Sequence, residues 1–495
     1  MFLKLGDEKM TDELYKTKAE VHNHGIKAIG KTLSEINNNQ SLTGAHKSGA
    51  GDAWETWFGK EKDSNKEPDM RIAGVELKAT PIKENKNGTL SAKERLVLNI
   101  INYKEVVKEQ FETSHFLHKN NTIELAFYRW KPETKKDDFV ITDVAMYEMM
   151  KNPVDFAIIK QDWHIINDYI EKGRAHELSE RLTTYLSPCT KGKTAAESFR
   201  EQPCSDIPAK QRAYSLKAGY MTYLYRTYVL GGEPSPAIVT NPLLLQNKSL
   251  LDLILDKIKP FIGSKRSDLA SQFNVKDNTK STNPEILKHI LGIKGAKEDD
   301  FGQEITKANI KPKTVVVNKG KKELKEEFKI LEYKFDEVIE ETWEESELRE
   351  YLQDTKFLIV VFERDGDVLT LKGAKFWEMP NEDIETSTRM VWEDTIHKIK
   401  TGVEIKWTPN KRTTNFINSS LQDKLFSKLS ASQTAYSEGS PYTDKLPTKI
   451  NWINRPDDKT DLYSDYYMTK QAWWLNKVYI YNQIEDLFES EIKSN

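Results

Sequence analysis

The order of apolar and polar positions predicts helices and short strands that alternate along the chain. Residues 12–36 have the spacing of apolar residues that is typical of a helix, and shorter apolar or alternating segments follow. We expect strands at residues 71–82, 94–102 and 122–129, a helix at 160–173, and a last helical or strand segment near 213–230. Helices and strands mixed along one chain in this way predict an α+β fold.

A similar series of segments occurs again in the second half of the chain. Matching segments begin at Phe111 and Trp343, Met146 and Phe376, Trp163 and Trp392, and Tyr220 and Tyr467. The first three pairs are 232, 230 and 229 positions apart and the last is 247 apart, which one late insertion explains. We therefore predict a duplicated domain, with lobes at residues 1–232 and 237–495 that are joined at the Gly- and Pro-rich segment 230–236.

The composition limits the kinds of partner that each lobe can have. The chain has 495 residues, which is too long for one ordinary core, and its net charge of −3 argues mildly against a non-specific nucleic-acid binder. A local basic cleft would still be enough for phosphate contacts. The sequence has neither a membrane span nor a signal-peptide pattern, and Cys189 and Cys204 lack the spacing of a metal site. We expect a cytoplasmic protein with two reduced thiols and no membrane partner.

Residues 69–81 contain the group of residues with the clearest chemical meaning. Val75 to Ala79 alternate between apolar and charged, so that Glu76 and Lys78 share one face of a predicted strand. Gly74 permits a bend that brings Asp69 beside Glu76. Two carboxylates can hold Mg²⁺ through oxygen while a lysine orients water and offsets charge on a phosphate. This pattern predicts a phosphodiester hydrolase with Asp69 and Glu76 as metal ligands.

The D-x₆-E-x-K spacing by itself also fits an ordinary amphipathic strand whose charged residues face solvent. Such spacings are common in a charged protein. Glu55 favours the functional interpretation, because Trp54 and Phe58, one helical turn apart, can anchor a helix that holds Glu55 toward the site.

The second copy adds a comparison within the chain. When Lys313 is aligned with Lys78, Glu304 falls at the Asp69 position and Lys311 at the Glu76 position. A lysine in place of a metal carboxylate opposes metal binding by its charge. The second lobe is therefore predicted to be a degenerate copy that binds but does not cut.

Three ordered motifs resemble the MutH family and the related type II restriction endonucleases that cut at GATC. Residues 47–59, Lys-Ser-Gly-Ala-Gly-Asp-Ala-Trp-Glu-Thr-Trp-Phe-Gly, resemble the K-G-x-x-G-x-x-x-E-x-W-x-G element of the family. Residues 69–81 resemble its D-x₆-E-x-K site, and residues 112–119, Glu-Thr-Ser-His-Phe-Leu-His-Lys, resemble its E-T-S-H-x-x-H-K element. The resemblance extends over most of residues 20–230.

The resemblance implies a PD-(D/E)xK nuclease fold with Mg²⁺ as cofactor. In that fold Asp69, Glu76 and Lys78 are catalytic, and Glu55 and Lys119 support them. A degenerate second lobe is similar to the GATC restriction enzymes rather than to single-domain MutH. It implies that this lobe binds a second GATC and regulates cleavage.

The residues that contact DNA are expected in loops around this site. Lysine can bind guanine O6 and N7 in the major groove, although Cys189 and Thr190 stand where MutH has Arg-Pro. The basic segment 307–325 fits a solvated hairpin tip and a phosphate contact equally well. In the second lobe, Arg412 lies roughly where Lys191 lies in the first. The DNA-binding candidates are Lys47, Lys191, Lys193, Tyr214, Lys217 and Arg412.

The sequence thus predicts a type II restriction endonuclease that hydrolyses both strands of double-stranded DNA 5′ of the G in GATC. A strand-nicking repair enzyme like MutH has the same chemistry, but it does not need a second DNA-binding lobe. A non-catalytic GATC-binding regulator and a nuclease with another recognition sequence are the remaining alternatives. We expect a monomer in solution that associates on DNA as a dimer or a looped complex.

Overall fold

The computed structural model describes residues 15–42, 49–60, 66–85, 88–191, 198–293, 300–459 and 461–489. The helices are α1 Lys18–Gly25, α2 Leu33–Ile36, α3 Gly49–Trp57, α4 Tyr103–Val106, α5 His115–Asn120, α6 Pro153–Glu171, α7 Ala218–Leu224, α8 Leu250–Ile258, α9 Arg266–Phe273, α10 Thr282–Leu291, α11 Gln303–Lys307, α12 Phe335–Val338, α13 Glu347–Asp354, α14 Asn381–Asp383, α15 Arg389–Thr401, α16 Lys477–Ile484 and α17 Asp486–Glu489. None of the helices in these ranges is long and apolar enough to cross a membrane.

Short strands lie between the helices throughout the chain. They are β1 Glu76–Glu84, β2 Leu90–Ala92, β3 Leu96–Ile100, β4 Thr122–Arg129, β5 Ile141–Glu148, β6 Leu186–Thr190, β7 Phe199–Gln202, β8 Ser205–Lys210, β9 Arg212–Leu216, β10 Ile310–Asn318, β11 Phe328–Tyr333, β12 Lys356–Asp365, β13 Val368–Trp377, β14 Glu404–Trp407, β15 Arg412–Thr414, β16 Leu425–Leu429, β17 Thr443–Lys445, β18 Asn451–Ile453, β19 Tyr467–Thr469 and β20 Gln471–Leu475. The predicted α+β class is confirmed.

The chain divides into two compact units that differ from the predicted lobes at their seam. Unit 1 consists of Met1–Ile254 and Leu291–Ile310, and unit 2 of Leu255–Ile290 and Lys311–Asn495. Unit 1 therefore extends beyond the Gly- and Pro-rich segment at 230–236. The later segments stay with unit 1 because they bond to it, for example through the Gln161 side-chain amide, which donates to the Lys248 carbonyl at 2.8 Å.

Unit 1 is built on a four-stranded sheet in the order β2-β1-β4-β5. Strand β1 runs parallel to β4, and β4 runs antiparallel to β5. The first seven residues of β4 are buried, as expected for a central strand with a near-continuous apolar run. A second sheet has the order β3-β9-β6, and β7 and β8 form a hairpin. The core beside β1 contains Val75 and Leu77 with Trp54 and Phe58 from α3.

The single helix predicted at residues 12–36 is wrong, because the described part of this segment contains two helices. Helix α1 ends at Gly25, and Gly30 has φ +87°, a left-handed conformation that a continuous helix does not contain. The second helix then starts from a capping box. The Thr32 hydroxyl accepts the Glu35 N–H at 3.2 Å, and the Glu35 carboxylate accepts the Thr32 N–H at 2.6 Å.

Unit 2 repeats the order of the strands of unit 1. Its sheets β10-β12-β13 and β11-β20-β16 correspond to β1-β4-β5 and β3-β9-β6. The short helices between them also agree. Ser114 caps α5 through the Leu117 N–H at 3.1 Å, and Ser346 caps α13 through the Arg349 N–H at 3.3 Å. This repeated topology supports the duplication that the sequence predicted.

One of the matched pairs is wrong. Tyr220 lies in helix α7, whereas Tyr467 lies in β19, which pairs only with β17 among the described strands. By position in the sheet, β9 corresponds to β20. A helix follows each of these strands, and Tyr220 in the first helix corresponds to Tyr479 in the second, α16. Three shared letters, Tyr-Met-Thr, misled the alignment because the insertion in unit 2 is longer than assumed.

Candidate active site

A tight turn before β1 brings the two predicted metal ligands together. Met70 and Val75 exchange backbone hydrogen bonds of 2.8 and 3.2 Å, and Gly74 has φ +66°, so the expected bend at Gly74 is confirmed. Asp69 therefore returns to the start of the strand. Its Oδ2 accepts the Leu77 N–H at 2.9 Å, and its own N–H points to Glu76 Oε2 at 3.3 Å.

The Glu76 carboxylate lies between two lysines. Glu76 is only 1% exposed, so the alternative that it is an ordinary solvent-facing residue is wrong. Lys78 Nζ forms an ion pair with Glu76 Oε1, and Lys119 Nζ lies 3.7 Å from Glu76 Oε2. Lys119 also donates to the carbonyl of Glu67 at 3.2 Å, which fixes its position at the end of α5.

The charges in this cluster shift one another's protonation. Burial raises the pKa of the Glu76 carboxyl, and the Lys78 ammonium acts against that rise. Burial on its own would lower the pKa of Lys78, but the carboxylates of Glu76 and Asp69 outweigh it and raise that pKa. Lys78 is therefore a cation in the free protein.

Glu55 is presented to the same cluster from helix α3. Trp54 is fully buried, its ring centroid lies 5.0 Å from that of Phe58, and its Nε1 donates to the Glu124 carbonyl of β4 at 3.2 Å. This packing holds α3 against the sheet, as the sequence predicted from Trp54 and Phe58. Burial, followed by the charge of Asp69, raises the pKa of Glu55 to about 7.

Lys60 is a member of the cluster that the sequence analysis missed. Its Nζ lies 3.3 Å from Asp69 Oδ1, and both side chains are largely buried. The signal was present in the sequence, because Lys60 directly follows the Gly59 that ends the first motif. It was passed over because a lysine after a glycine is more often an exposed loop residue.

The donor set of this cluster fits a hard divalent cation. Burial raises the pKa of Glu55 and of Glu76, the charge of Asp69 adds to both rises, and a bound cation would relieve that repulsion. Within the described ranges, no group of three or more His, Cys, Asp or Glu side chains is arranged to hold a metal. Mg²⁺ uses one or two carboxylates, with water and phosphate at its other positions. Asp69 and Glu76 are sufficient for such a site.

The residues predicted to contact DNA have mixed positions in unit 1. Lys47 and Lys193 lie outside the described residues, while Lys191 follows β6 and is partly exposed. The prediction that Tyr214 contacts DNA at the surface is wrong, because Tyr214 is 1% exposed and packs against Phe116 in the core. Lys217 is half-buried, and its Nζ donates to the Thr183 carbonyl at 2.6 Å.

Arg412 does not occupy the counterpart of the Lys191 loop. It lies in β15, whereas the strand order makes the loop after β16 the counterpart of the loop after β6. The Arg412 guanidinium stacks on Trp407 and Tyr463, at 5.1 and 4.7 Å from the ring centroids. It also donates to the Thr408 carbonyl at 3.3 Å. Its side chain is held within unit 2.

The aligned residues of the second copy form no matching acidic cluster. Glu304, expected opposite Asp69, belongs to unit 1, where its carboxylate accepts the N–H of Ile238 at 2.8 Å. Lys313 of β10 donates to the Lys329 carbonyl at 3.1 Å. Burial and the neighbouring Lys311 and Lys329 lower the pKa of Lys313. Lysines therefore surround the position where unit 1 has carboxylates.

Comparison with known proteins identifies the family of this chain. The family model described as DNA mismatch repair enzyme MutH matches residues 58–162, which include Asp69, Glu76, Lys78 and Lys119. The type II restriction enzyme Sau3AI of Staphylococcus aureus is 48% identical over 493 residues, which is 96% of this chain and 100% of the relative. The chain therefore belongs to the MutH-like type II restriction endonucleases, site-specific enzymes that hydrolyse double-stranded DNA.

Proposed function

We propose that the protein is a Mg²⁺-dependent restriction endonuclease that cuts both strands of double-stranded DNA at GATC, 5′ of the G. The observation that carries the proposal is the buried Glu76 carboxylate, paired with Lys78 and joined to Asp69 through the turn before β1. The three ordered motifs support GATC as the recognition sequence. Two unpaired thiols, Cys189 and Cys204, favour a cytoplasmic location.

Asp69 and Glu76 would hold the divalent ion through their oxygens. When bound, the ion would stabilise negative charge on the phosphate and lower the pKa of a coordinated water. Lys78 lies beside Glu76 and is protonated, so it offsets the charge that develops as water adds to phosphorus and the O3′ leaves. Lys119 adds a second cation 3.7 Å from Glu76.

Glu55 and Lys60 have opposite electrostatic effects on Asp69. Lys60 Nζ lies 3.3 Å from Asp69 Oδ1 and places a positive charge beside this proposed metal ligand. Glu55 has a pKa near the working pH, raised to about 7, so it can exchange a proton with a nearby water. We assign Glu55 and Lys119 supporting roles and Asp69, Glu76 and Lys78 the catalytic ones.

Unit 2 is proposed to bind a second GATC and to regulate cleavage. Burial and the charges of Lys311 and Lys329 lower the pKa of Lys313, and such a group of lysines suits a phosphate better than a metal ion. The described residues contain one such acidic cluster per chain, which supports a monomer that associates on DNA to break both strands. Lys191, with Lys47 and Lys193, is the proposed DNA contact of unit 1.

The test is digestion of a plasmid that carries several GATC sites, with Mg²⁺ or EDTA, by the wild type and Glu76→Ala. Linear fragments with GATC ends, lost in EDTA and in Glu76→Ala, are the expected result. Nicked circles would instead indicate a strand-nicking enzyme like MutH, and binding without cleavage would indicate a regulator. Fragments with other ends would reject the GATC assignment, and cleavage that survives Glu76→Ala would reject the site.

A further inference from the structure

The position of the Glu55 carboxylate depends on how helix α3 is packed. Trp54, the residue before Glu55, is fully buried, and its indole N–H donates to the carbonyl of Glu124 in β4 at 3.2 Å. Further contacts to α3 come from helix α1, which the three sequence motifs do not include.

Two polar contacts join the C-terminal end of α1 to the end of α3. The Nε2 atom of His24 lies 3.1 Å from the carbonyl oxygen of Trp57, and Trp57 Nε1 donates to the carbonyl of His24 at 3.4 Å. The His24 ring also packs against the rings of Trp57 and Phe58, at centroid distances of 5.2 and 5.1 Å. Trp57 is two residues from Glu55, so these contacts fix the helix turn that carries Glu55.

Helix α1 is itself anchored to the central strand of the sheet. His22 Nδ1 lies 2.9 Å from Oε1 of Glu124, whose side chain has no exposed surface. Glu124 pairs in register with Leu77, the residue between Glu76 and Lys78. The backbone carbonyl of Glu124 accepts the indole N–H of Trp54. The same residue of β4 therefore touches both helices next to the site.

The approach of α1 to this strand leaves no spare room. A Cβ atom added to Gly25 would lie 2.6 Å from Glu124 Oε1 and 3.2 Å from Val144 Cγ1. The capping box of Thr17 and Glu20 begins the helix firmly, with the Glu20 N–H 3.2 Å from the Thr17 hydroxyl and the Thr17 N–H 2.9 Å from the Glu20 carboxylate. The helix is thus set in one position against β4.

We propose that His22, His24 and Glu124 are positioning residues for DNA cleavage, which act through α3 to hold Glu55 beside Asp69. The inference rests on the proposed role of Glu55 in hydrolysis. The effect of these three residues on cleavage passes through the placement of one carboxylate, that of Glu55.

A double-mutant cycle on the full-length protein separates this role from general stability. The variants are His24→Ala and the milder Trp57→Phe, each made alone and together with Glu55→Gln. The measurements are the single-turnover rate on a GATC duplex with Mg²⁺, the affinity for the same duplex with Ca²⁺, and the melting temperature. His164→Ala, a histidine of helix α6 in the same unit, is the matched control.

His24→Ala and Trp57→Phe should each lower the single-turnover rate by about tenfold or more while duplex affinity stays within twofold, because small displacements of a group at the reaction centre cost rate rather than binding. In the Glu55→Gln background the same variants should change the rate less than twofold. His164→Ala should cleave like the wild type. Glu124→Gln, which keeps the shape of the side chain, should retain more activity than Glu124→Ala.

Equal rate losses in both backgrounds would overturn the inference, because they would place the effect outside Glu55. Wild-type rates in His24→Ala and Trp57→Phe would overturn it as well. If Glu55→Gln alone cuts like the wild type, the proposed role of Glu55 is wrong. That result does not depend on the His24 and Trp57 variants. If His24→Ala does not fold, the comparison is made with Trp57→Phe.

Discussion

Replacing Lys307 by methionine should lower the unfolding temperature of unit 1. Lys307 Nζ lies 2.8 and 2.9 Å from the two carboxylate oxygens of Asp155 and 2.9 Å from Gln303 Oε1. The two charged side chains are only 2% and 3% exposed. Methionine would fill similar space without the charge, and Asp155 would keep only the hydrogen bond from the Tyr220 hydroxyl at 3.1 Å.

The size of the loss follows from the charge that remains buried. Removing one partner of a buried ion pair costs about 3–5 kcal/mol. For a unit of this size, that corresponds to a fall of roughly 6–20 °C in the unfolding midpoint. Burial raises the pKa of Asp155 and Lys307 acts against it. The deficit should therefore shrink as the pH falls, because protonation removes the negative charge that the variant leaves unpaired.

Calorimetry at pH 8 and pH 5 measures the loss, and hydrogen exchange of peptides from α6 and α11 assigns it to unit 1. The double variant Lys307→Met with Asp155→Leu should recover most of the stability, because an apolar pair replaces the ion pair. Lys172→Met removes the exposed partner of Asp168 in the same unit and should leave the midpoint unchanged. A cost below about 1 kcal/mol in Lys307→Met, or a double variant no more stable than the single one, would refute the reasoning.

Three further changes test other parts of unit 1. Glu55→Gln should raise the melting temperature relative to the wild type at pH 8 but not at pH 4.5. The reason is that an acid whose pKa is raised to about 7 in the folded state loses stabilisation as the pH rises through 7. Equal shifts of the melting temperature at both pH values would count against the raised pKa. Gly25→Ala should lower the free energy of unfolding, measured in urea, by about 1–3 kcal/mol, because its Cβ would meet Glu124 Oε1 at 2.6 Å. A Cβ at Gly51 would meet nothing within 4 Å, so Gly51→Ala should be neutral or stabilising. Tyr214→Phe should melt at the same or a higher temperature and cut DNA at the wild-type rate, because the buried Tyr214 hydroxyl bonds to no described residue. A loss of duplex affinity would restore Tyr214 as a DNA contact.

The core of the candidate site could be predicted from the sequence because it depends on short-range geometry. The strand period of two places Glu76 and Lys78 on one face, and Gly74 allows the turn that returns Asp69. Helix spacing likewise placed Trp54 against the core with Glu55 beside the site. These relations span at most a few residues, so local patterns contain them.

Contacts between distant segments could not be predicted in this way. Lys307 reads as the start of a basic surface segment, yet its partner Asp155 lies 152 positions away and both are buried. Tyr214 stood beside candidate DNA residues, but the central position of β9 in its sheet directs it into the core. The break at Gly30 depends on a left-handed backbone conformation that glycine permits but does not require.

The division of unit 1 into two stretches of sequence has a consequence for its synthesis. The segment Leu291–Ile310, with Lys307, belongs to unit 1 although residues 255–290 do not. A ribosome must therefore add Lys307 before Asp155 can obtain its buried partner. The nuclease unit cannot complete its fold while the growing chain is shorter than about 310 residues, however early its acidic cluster has been translated. In this enzyme, the capacity to damage DNA is delayed until well over half of the polypeptide exists.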